Sequence, residues 1–438
     1  MKTTFKKSSA LLSGLALLCG MGVAYAQAPV AADQKAVEQG AYVAVLSDCV
    51  ACHTAKGGQP YAGGLPLETP IGTLYTTNIT PDSETGIGKY SYEDFERAVR
   101  RGIRKDGKTM YPAMPYPDFS RLSDDDMHAL YAFFMSGVKP VHDVNKANEI
   151  PWPKSMRWPL AWWRWIFAPN VHSGPVPTSG DAVADRGAYL VEGPGHCGTC
   201  HTPRAATLQQ KALSSRDGSD FLAGSQVDNY TASNLRGDIL TGLGSWEEED
   251  IVSFLKTGRN QHSAAFGGMA DVVFHSTQHM SDADLQAIAH FLKTLPASKK
   301  EQPFAADPAV GKELSEGHVT RVGARTYIDN CAACHLTSGK GYNDTFPALA
   351  NNPVVNAADP SSLIHIVLVG DTIPSTAVEP THFSMPSFAH RLSDQEVADV
   401  VTFIRTSWGN KGAAVSADEV AKLRAKITIP PYKPSPIK

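Results

Sequence analysis

Cys49-Val50-Ala51-Cys52-His53, Cys197-Gly198-Thr199-Cys200-His201 and Cys331-Ala332-Ala333-Cys334-His335 repeat one pattern, C-x-x-C-H, three times. That spacing is the attachment signal for c-type haem. Two thiols so placed reach two vinyl groups of one porphyrin, and the imidazole that follows reaches the iron. Two plainer readings compete. A thioredoxin-like dithiol needs no histidine after it, and a zinc site needs a second pair of ligands nearby. Neither accounts for His at the same offset three times. Six of the seven cysteines lie in these motifs. The pattern predicts three covalently bound haem c groups, held by Cys49, Cys52, Cys197, Cys200, Cys331 and Cys334, with His53, His201 and His335 on the irons.

The sequence around each motif repeats as well. Gly40 and Tyr42, Gly187 and Tyr189, and Gly323 and Tyr327 stand ahead of the three motifs, on an expected opening helix. A closing helix follows each motif, with Ser123, Ser281 and Ser393 as N-caps. Asp126, Asp284 and Glu396 sit three residues further on, as in a capping box, with Asp a shorter stand-in for Glu. The apolar stripes Met127, Leu130, Tyr131, Phe134; Leu285, Ile288, Ala289, Leu292; and Val397, Val400, Val401, Ile404 all follow i, i+3, i+4, i+7, one helix face. That face should pack on the opening helix and the haem, with the small glycines allowing a close crossing. In their middle sections Tyr75–Ile79 parallels Tyr230–Leu235, and Gly86–Tyr90 parallels Gly242–Trp246. The third unit lacks both. The expected fold is mainly α: three tandem class I-type cytochrome c domains joined by irregular linkers. The expected boundaries are 27–140, 181–296 and 320–410, with a Pro/Trp-rich linker at 141–180, a polar linker at 297–319 and a tail at 411–438 that holds a short helix, Ala417 to Ala425.

A haem with His alone is open to chemistry; His and Met together make a closed electron carrier of raised potential. Met114, in Ala113-Met114-Pro115, and Met385, in Ser384-Met385-Pro386, occupy equivalent loops just ahead of the closing helices. They are the expected sixth ligands of units one and three. Unit two offers Met269 and Met280. Met280 immediately precedes the N-cap serine and reads as packing, so Met269 is preferred; His262, His275 and His279 are its rivals. Asn78 and Asn234 suit either a hydrogen bond to the haem or a plain turn. His196 reads as a surface histidine, with contact to a propionate the sharper alternative. The run Glu247-Glu248-Glu249-Asp250 reads as the first turn of a helix.

Composition bounds the rest. The chain has 438 residues, 42% hydrophobic and 19% charged, so it is globular. Residues 1–26 read as a cleaved secretory signal: Lys2, Lys6 and Lys7, an apolar run from Ala10 to Val23, then Ala24-Tyr25-Ala26. Cleavage removes Cys19 with three lysines and no acid, taking the formal charge from −4 to −7. That balance excludes nucleic-acid binding. Five of seven tryptophans fall between Trp152 and Trp165, with Arg157 and Arg164 interleaved. This stretch reads either as a linker folded on its own domains or as a docking surface for membrane or partner.

The chain resembles the three-haem cytochrome c subunits of membrane-bound periplasmic dehydrogenases: the gluconate 2-dehydrogenase, sorbitol, fructose and quinoprotein alcohol dehydrogenase types. The resemblance covers about residues 34–410 and rests on Asp48–Thr54, Tyr75–Pro81, Tyr111–Tyr116, Gly193–Pro203 and Ala265–Asp271. It implies a chain that oxidises no substrate itself. A partner catalytic subunit holds flavin or PQQ, a small subunit accompanies it, and electrons pass on to ubiquinone. It implies a peripheral place on the periplasmic side of the inner membrane. The tail holds no apolar run long enough to span a membrane, so attachment falls to surface helices, the Trp stretch or partners. Ser361–Leu368 and the compact tail resemble the gluconate type more than the alcohol type. A free-standing or oxidase-linked carrier is the rival class. A peroxidase-like enzyme would need an open iron, against which the three methionines argue.

Overall fold

One glycine sets the helix crossing in each unit of the computed structural model, which describes residues 33–171 and 179–431. The expected signal, 1–26, lies outside the described residues. In unit one the opening helix Gln34–Leu46 crosses the closing helix Asp124–Ala132. A Cβ on Gly40 would lie 1.9 Å from the Ala129 carbonyl oxygen. In unit two Ala182–Glu192 crosses Asp282–Thr294, and a Cβ on Gly187 would lie 2.0 Å from the Ala287 oxygen. Unit three keeps the contact, 2.1 Å from Gly323 to the Asp399 oxygen on its closing helix Asp394–Thr406. There the glycine is not inside a helix as expected. It is the N-cap of the shorter Ala324–Asn330, at φ +81°, a conformation glycine adopts without steric cost.

The described chain is mainly helical, with three short antiparallel ribbons. Pro66–Thr69 pairs with Gly72–Tyr75, Ser225–Val227 with Tyr230–Ala232, and Asp371–Thr372 with Ser384–Met385. Three separate apolar clusters form, one per unit. Every residue of the three closing stripes is buried except Tyr131, which is half-buried and donates its hydroxyl to the Tyr90 carbonyl at 3.0 Å. Leu46, on the opening helix of unit one, is buried in the cluster of unit two.

The N-caps are as expected: the Ser123, Ser281 and Ser393 side chains accept from the backbone N–H of Asp126, Asp284 and Glu396. The full reciprocal box closes only at Ser393. Asp is one methylene shorter than Glu, and the other two carboxylates are engaged elsewhere. Asp284 accepts from Arg186 Nε and Nη2, both at 2.8 Å, and from the Tyr42 hydroxyl at 2.7 Å. Asp126 accepts from Gln39 Nε2 at 3.0 Å and from the Tyr189 hydroxyl. The same phenols accept the N-cap amides: Ser281 N–H donates to Tyr42 at 3.0 Å and Ser123 N–H to Tyr189 at 3.2 Å. Units one and two therefore cap each other's closing helix.

The described parts of the segments expected as linkers hold helices and backbone pairing. Within 297–319, Pro308–Ser315 is a helix with Asp307 as N-cap and Pro308 in its first turn. It buries Val310 and Leu314 in the third cluster. The tail helix Ala417–Arg424 adds Val420 and Leu423 to the same cluster. In 141–180 the first stretch is strapped along unit one, where the Thr73 and Glu149 backbones pair. The helix Trp158–Phe167 follows.

Candidate functional site

Each C-x-x-C-H motif forms a one-turn helix just after the opening helix: Cys49–Cys52, Gly198–His201 and Ala332–His335. In all three the histidine Nδ1 faces a backbone carbonyl. His53 meets the Thr77 oxygen at 2.7 Å, His201 the Ser233 oxygen at 2.7 Å, and His335 the Pro347 oxygen at 3.0 Å. A carbonyl only accepts, so Nδ1 carries the proton and the Nε2 lone pair is left for a metal. Burial lowers the pKa of all three rings, outweighing the carbonyls' opposite effect. Neutral imidazole is the form that ligates iron.

The cysteines are paired in sequence but not in disulfides. Cys52 and Cys200 keep accessible surface, yet the atoms around them push both thiols up, Cys52 to about 11. Burial pushes Cys197 and Cys331 up to about 12, and Cys49 is raised as well. A redox dithiol depresses one thiol instead. Raised thiols do not suit a redox dithiol, and the cysteine pairs with their histidines fit haem c.

The third motif opens on a mostly apolar cavity of about 150 Å³. Cys331, Cys334, His335 and Met385 line it together. The structure thus unites the thiols, the proximal ring and the expected thioether of unit three. In unit one Met114 is half-buried against the cluster that Cys49 also joins. Met269 starts from the same local geometry as Met114: Met110 N–H bonds the Gly102 oxygen at 2.8 Å, and Ala265 N–H bonds the Gly258 oxygen at 2.7 Å. Both methionines follow four residues after that bond. Met269 lies in the helix Gly268–His275, which packs on Cys49–Cys52 of unit one. Met280 is buried core, as expected.

Several secondary expectations resolve. Asn78 donates to Thr85 Oγ1 and the Val141 oxygen and accepts from Thr80; Asn234 donates to Asp238 and accepts from Arg236 N–H. Both are turn residues. His196 is no surface histidine: it stacks on Phe119 of unit one, ring centroids 5.4 Å apart, because its loop is pressed between two units. His262 is held by Asp250 at 3.0 Å and stacks on Trp246, which removes it as a free rival to Met269. The acidic run does start a helix, Glu248–Thr257, capped by Glu247.

The cytochrome c family model matches residues 37–137 and 321–408. The gluconate 2-dehydrogenase cytochrome c subunit of Pantoea cypripedii is 54% identical over 95% of each chain. The cytochrome c subunit of the quinone alcohol dehydrogenase of Gluconobacter oxydans (strain 621H) is 53% identical over 97% of this chain and 88% of its own. This chain belongs to the dehydrogenase cytochrome c subunits. A more distant member, the fructose dehydrogenase cytochrome subunit of Gluconobacter japonicus, is 36% identical over 91% of this chain and 84% of its own.

Two features of this cytochrome subunit were not legible in its motifs. The first and second motifs are neighbours: Cys200 acts electrostatically on Cys52, and Asp48, which precedes Cys49, acts on Cys200. The third cavity borrows part of its wall from unit two, through Ser263, Ala264, Ala265 and Phe266. Beside that wall Arg259 is buried. It gives Nη2 to Glu379 at 2.9 Å and lies over Phe383, which lines the cavity. Its Nε and Nη1 have no hydrogen-bond partner among the described residues, and such donors suit an anionic group.

Proposed function

We propose that this chain is the tri-haem electron-transfer subunit of a membrane-bound periplasmic dehydrogenase. Three class I-type cytochrome c units, over 27–140, 181–296 and 320–410, would each hold one haem c. The observation that carries this reading is the threefold histidine-to-carbonyl contact beside a cysteine pair. The cysteines attach the group, the histidines present Nε2, and Met114, Met269 and Met385 supply the sixth ligand. Haem so held supplies reversible one-electron transfer. The protein's own part is to hold the rings, exclude water with the three apolar clusters and fix the spacing of the sites. Unit two is central, since its motif adjoins that of unit one and its loop walls the third cavity.

Substrate oxidation belongs to a catalytic partner with flavin or PQQ, accompanied by a small subunit, and ubiquinone takes the electrons. The chain sits peripherally on the periplasmic face of the inner membrane after signal cleavage. No described helix is long and apolar enough to cross a membrane, which agrees with that place. A gluconate-type partner is favoured, supported by the Ser361–Leu368 stretch; the alcohol, sorbitol and fructose types are the alternatives. Gluconate, ethanol, sorbitol and fructose, added singly to the native complex with the terminal oxidase blocked, test this. Rapid haem reduction by one of them names the partner. Reduction by none, while dithionite still reduces the haems, favours a free-standing carrier. Met114→Ala, Met269→Ala and Met385→Ala should each lower one haem's potential; no shift for Met269→Ala would pass its role to His275 or His279.

A further inference from the structure

We propose that Arg259 of unit two binds a propionate of the haem in unit three, and so tunes that haem's potential from outside its own unit. The inference rests on the reading of a third covalent haem at Cys331, Cys334 and His335. Four arginines are buried among the described residues: Arg100, Arg236, Arg259 and Arg405. Three of them commit two nitrogens each to protein acceptors. Arg100 gives to Asp124 and the Leu122 carbonyl, Arg236 to the Pro296 and Phe221 carbonyls, and Arg405 to the Ala413 and Val355 carbonyls. Arg259 is 2% exposed and gives only Nη2, to Glu379. Its Nε and Nη1 have no hydrogen-bond partner among the described residues. Burying a guanidinium with donors unsatisfied is costly. Glu379, whose side chain keeps 46% of its surface, is screened by solvent and compensates that charge only in part.

The position points to the ligand. Arg259 sits in a tight loop: its backbone pairs with Ala264, and Ala265 N–H returns to the Gly258 carbonyl at 2.7 Å. Ala264 and Ala265 wall the third cavity. So does Phe383 of unit three, over whose ring the guanidinium lies, 5.8 Å from the centroid. The rest of the wall is mostly apolar, with Leu349, Val355, Leu363 and Val367 beside Cys331 and His335. Haem divides in the same way, into an apolar ring and two carboxylates on one edge. The ring suits the apolar wall. The carboxylates need a buried cation, and a planar guanidinium fork matches a carboxylate best. A positive charge beside the haem favours the reduced iron. Arg259 should therefore raise the potential, and Glu379 should offset part of the rise.

Redox titration of the full-length haem-loaded protein tests this. Arg259→Gln should lower the midpoint of the same haem that Met385→Ala lowers. The expected change is about tenfold in the reduction equilibrium, roughly 59 mV for one electron. Arg259→Lys keeps the charge and loses the fork, so it should lower that midpoint less. Glu379→Gln should raise it, and this half-exposed position keeps the test decisive if an Arg259 variant fails to fold. An arginine that merely ties two loops together through Glu379 predicts one response from Arg259→Gln and Glu379→Gln, because each breaks the same pair. Shifts of one sign, no shift from either, or a shift in another haem overturn the proposal. Haem content from pyridine haemochrome absorbance and the mass of the intact chain reads the tri-haem assignment separately. Three haems with an unmoved potential sink the propionate contact alone; fewer than three sink the assignment beneath it.

Discussion

The junction between units one and two and the junction between units two and three are built on opposite principles. The first is reciprocal. Tyr42 of unit one bonds Asp284 and the Ser281 amide of unit two, and Tyr189 of unit two bonds Asp126 and the Ser123 amide of unit one. Each opening helix finishes the other unit's closing helix, as in a self-complementary dimer. The second junction is one-sided. Thr231 N–H donates to Ser362 Oγ at 2.7 Å, and Tyr230 stacks on His365 with centroids 3.9 Å apart and planes at 12°. Gly267 N–H donates to Asp371 at 2.7 Å. A ribbon of unit two thus meets the helix Ser361–Val369 of unit three, and the loop at Gly267 meets its strand Asp371–Thr372. Unit three has no free cap to offer. Its Tyr327 turns inward to the Leu336 carbonyl at 2.6 Å, and Glu396 closes its own box. The tyrosine two positions after the crossing glycine joins units one and two; in unit three the tyrosine comes four positions after Gly323 and turns inward.

The comparison breaks hardest at the crossings. Gly187→Val pushes a side chain into the Ala287 carbonyl and should cost about 3 kcal/mol or more in denaturant unfolding. A fully stable variant would mean the crossing is looser than the glycine requires. Next come the phenols. Tyr189→Phe leaves the Ser123 amide and Asp126 each short of a partner and should cost about 1–2 kcal/mol. Tyr327→Phe removes one of two donors to the Leu336 carbonyl, leaving the Gly339 N–H, and should cost about 1 kcal/mol, confined to unit three. Equal losses, with no coupling between Tyr42→Phe and Tyr189→Phe in a double-mutant cycle, would dissolve the distinction between the junctions.

A smaller effect follows from pH. Burial would raise the Asp284 carboxyl, but hydrogen bonds from Arg186 and Tyr42 and the guanidinium charge outweigh it and hold it below the usual range. A depressed folded pKa stabilises above the unfolded value of about 4 and is lost as pH falls through the folded one. Unfolding curves between pH 3 and 6 should show that loss, and Asp284→Asn should flatten it. The smallest effect is at His290, raised by hydrogen bonds to Asp181 and Glu248. Its contribution is whole below the usual histidine range and fades as pH rises through the folded value. The site is partly exposed, so His290→Gln should change stability by roughly 0.5 kcal/mol or less, more at low pH than at high.

Local patterns made much of this legible. The closing helices could be read because three buried stripes share one period behind three serine caps. The three histidines could be grouped because C-x-x-C-H repeats, and each of them meets a backbone carbonyl through Nδ1. The segment 297–319 could not, because Val310 and Leu314 are a two-residue apolar face in a polar stretch, too short for periodicity to register. His196 could not either, since its partner Phe119 lies in another unit.

The sequence by itself determined the three C-x-x-C-H turns, the helix pairs and the glycines that let them cross, because each depends on residues a few positions apart. Only the tertiary structure decided that Asp126 and Asp284 serve a neighbouring unit's tyrosine instead of their own cap. It alone set the first motif beside the second and lent a wall of unit two to the third cavity. It alone turned Trp163 inward to the Thr207 carbonyl and left Trp158, Trp162 and Trp165 exposed. Those outcomes depend on which surfaces meet, and a repeated motif carries no information about its neighbour until the chain has packed.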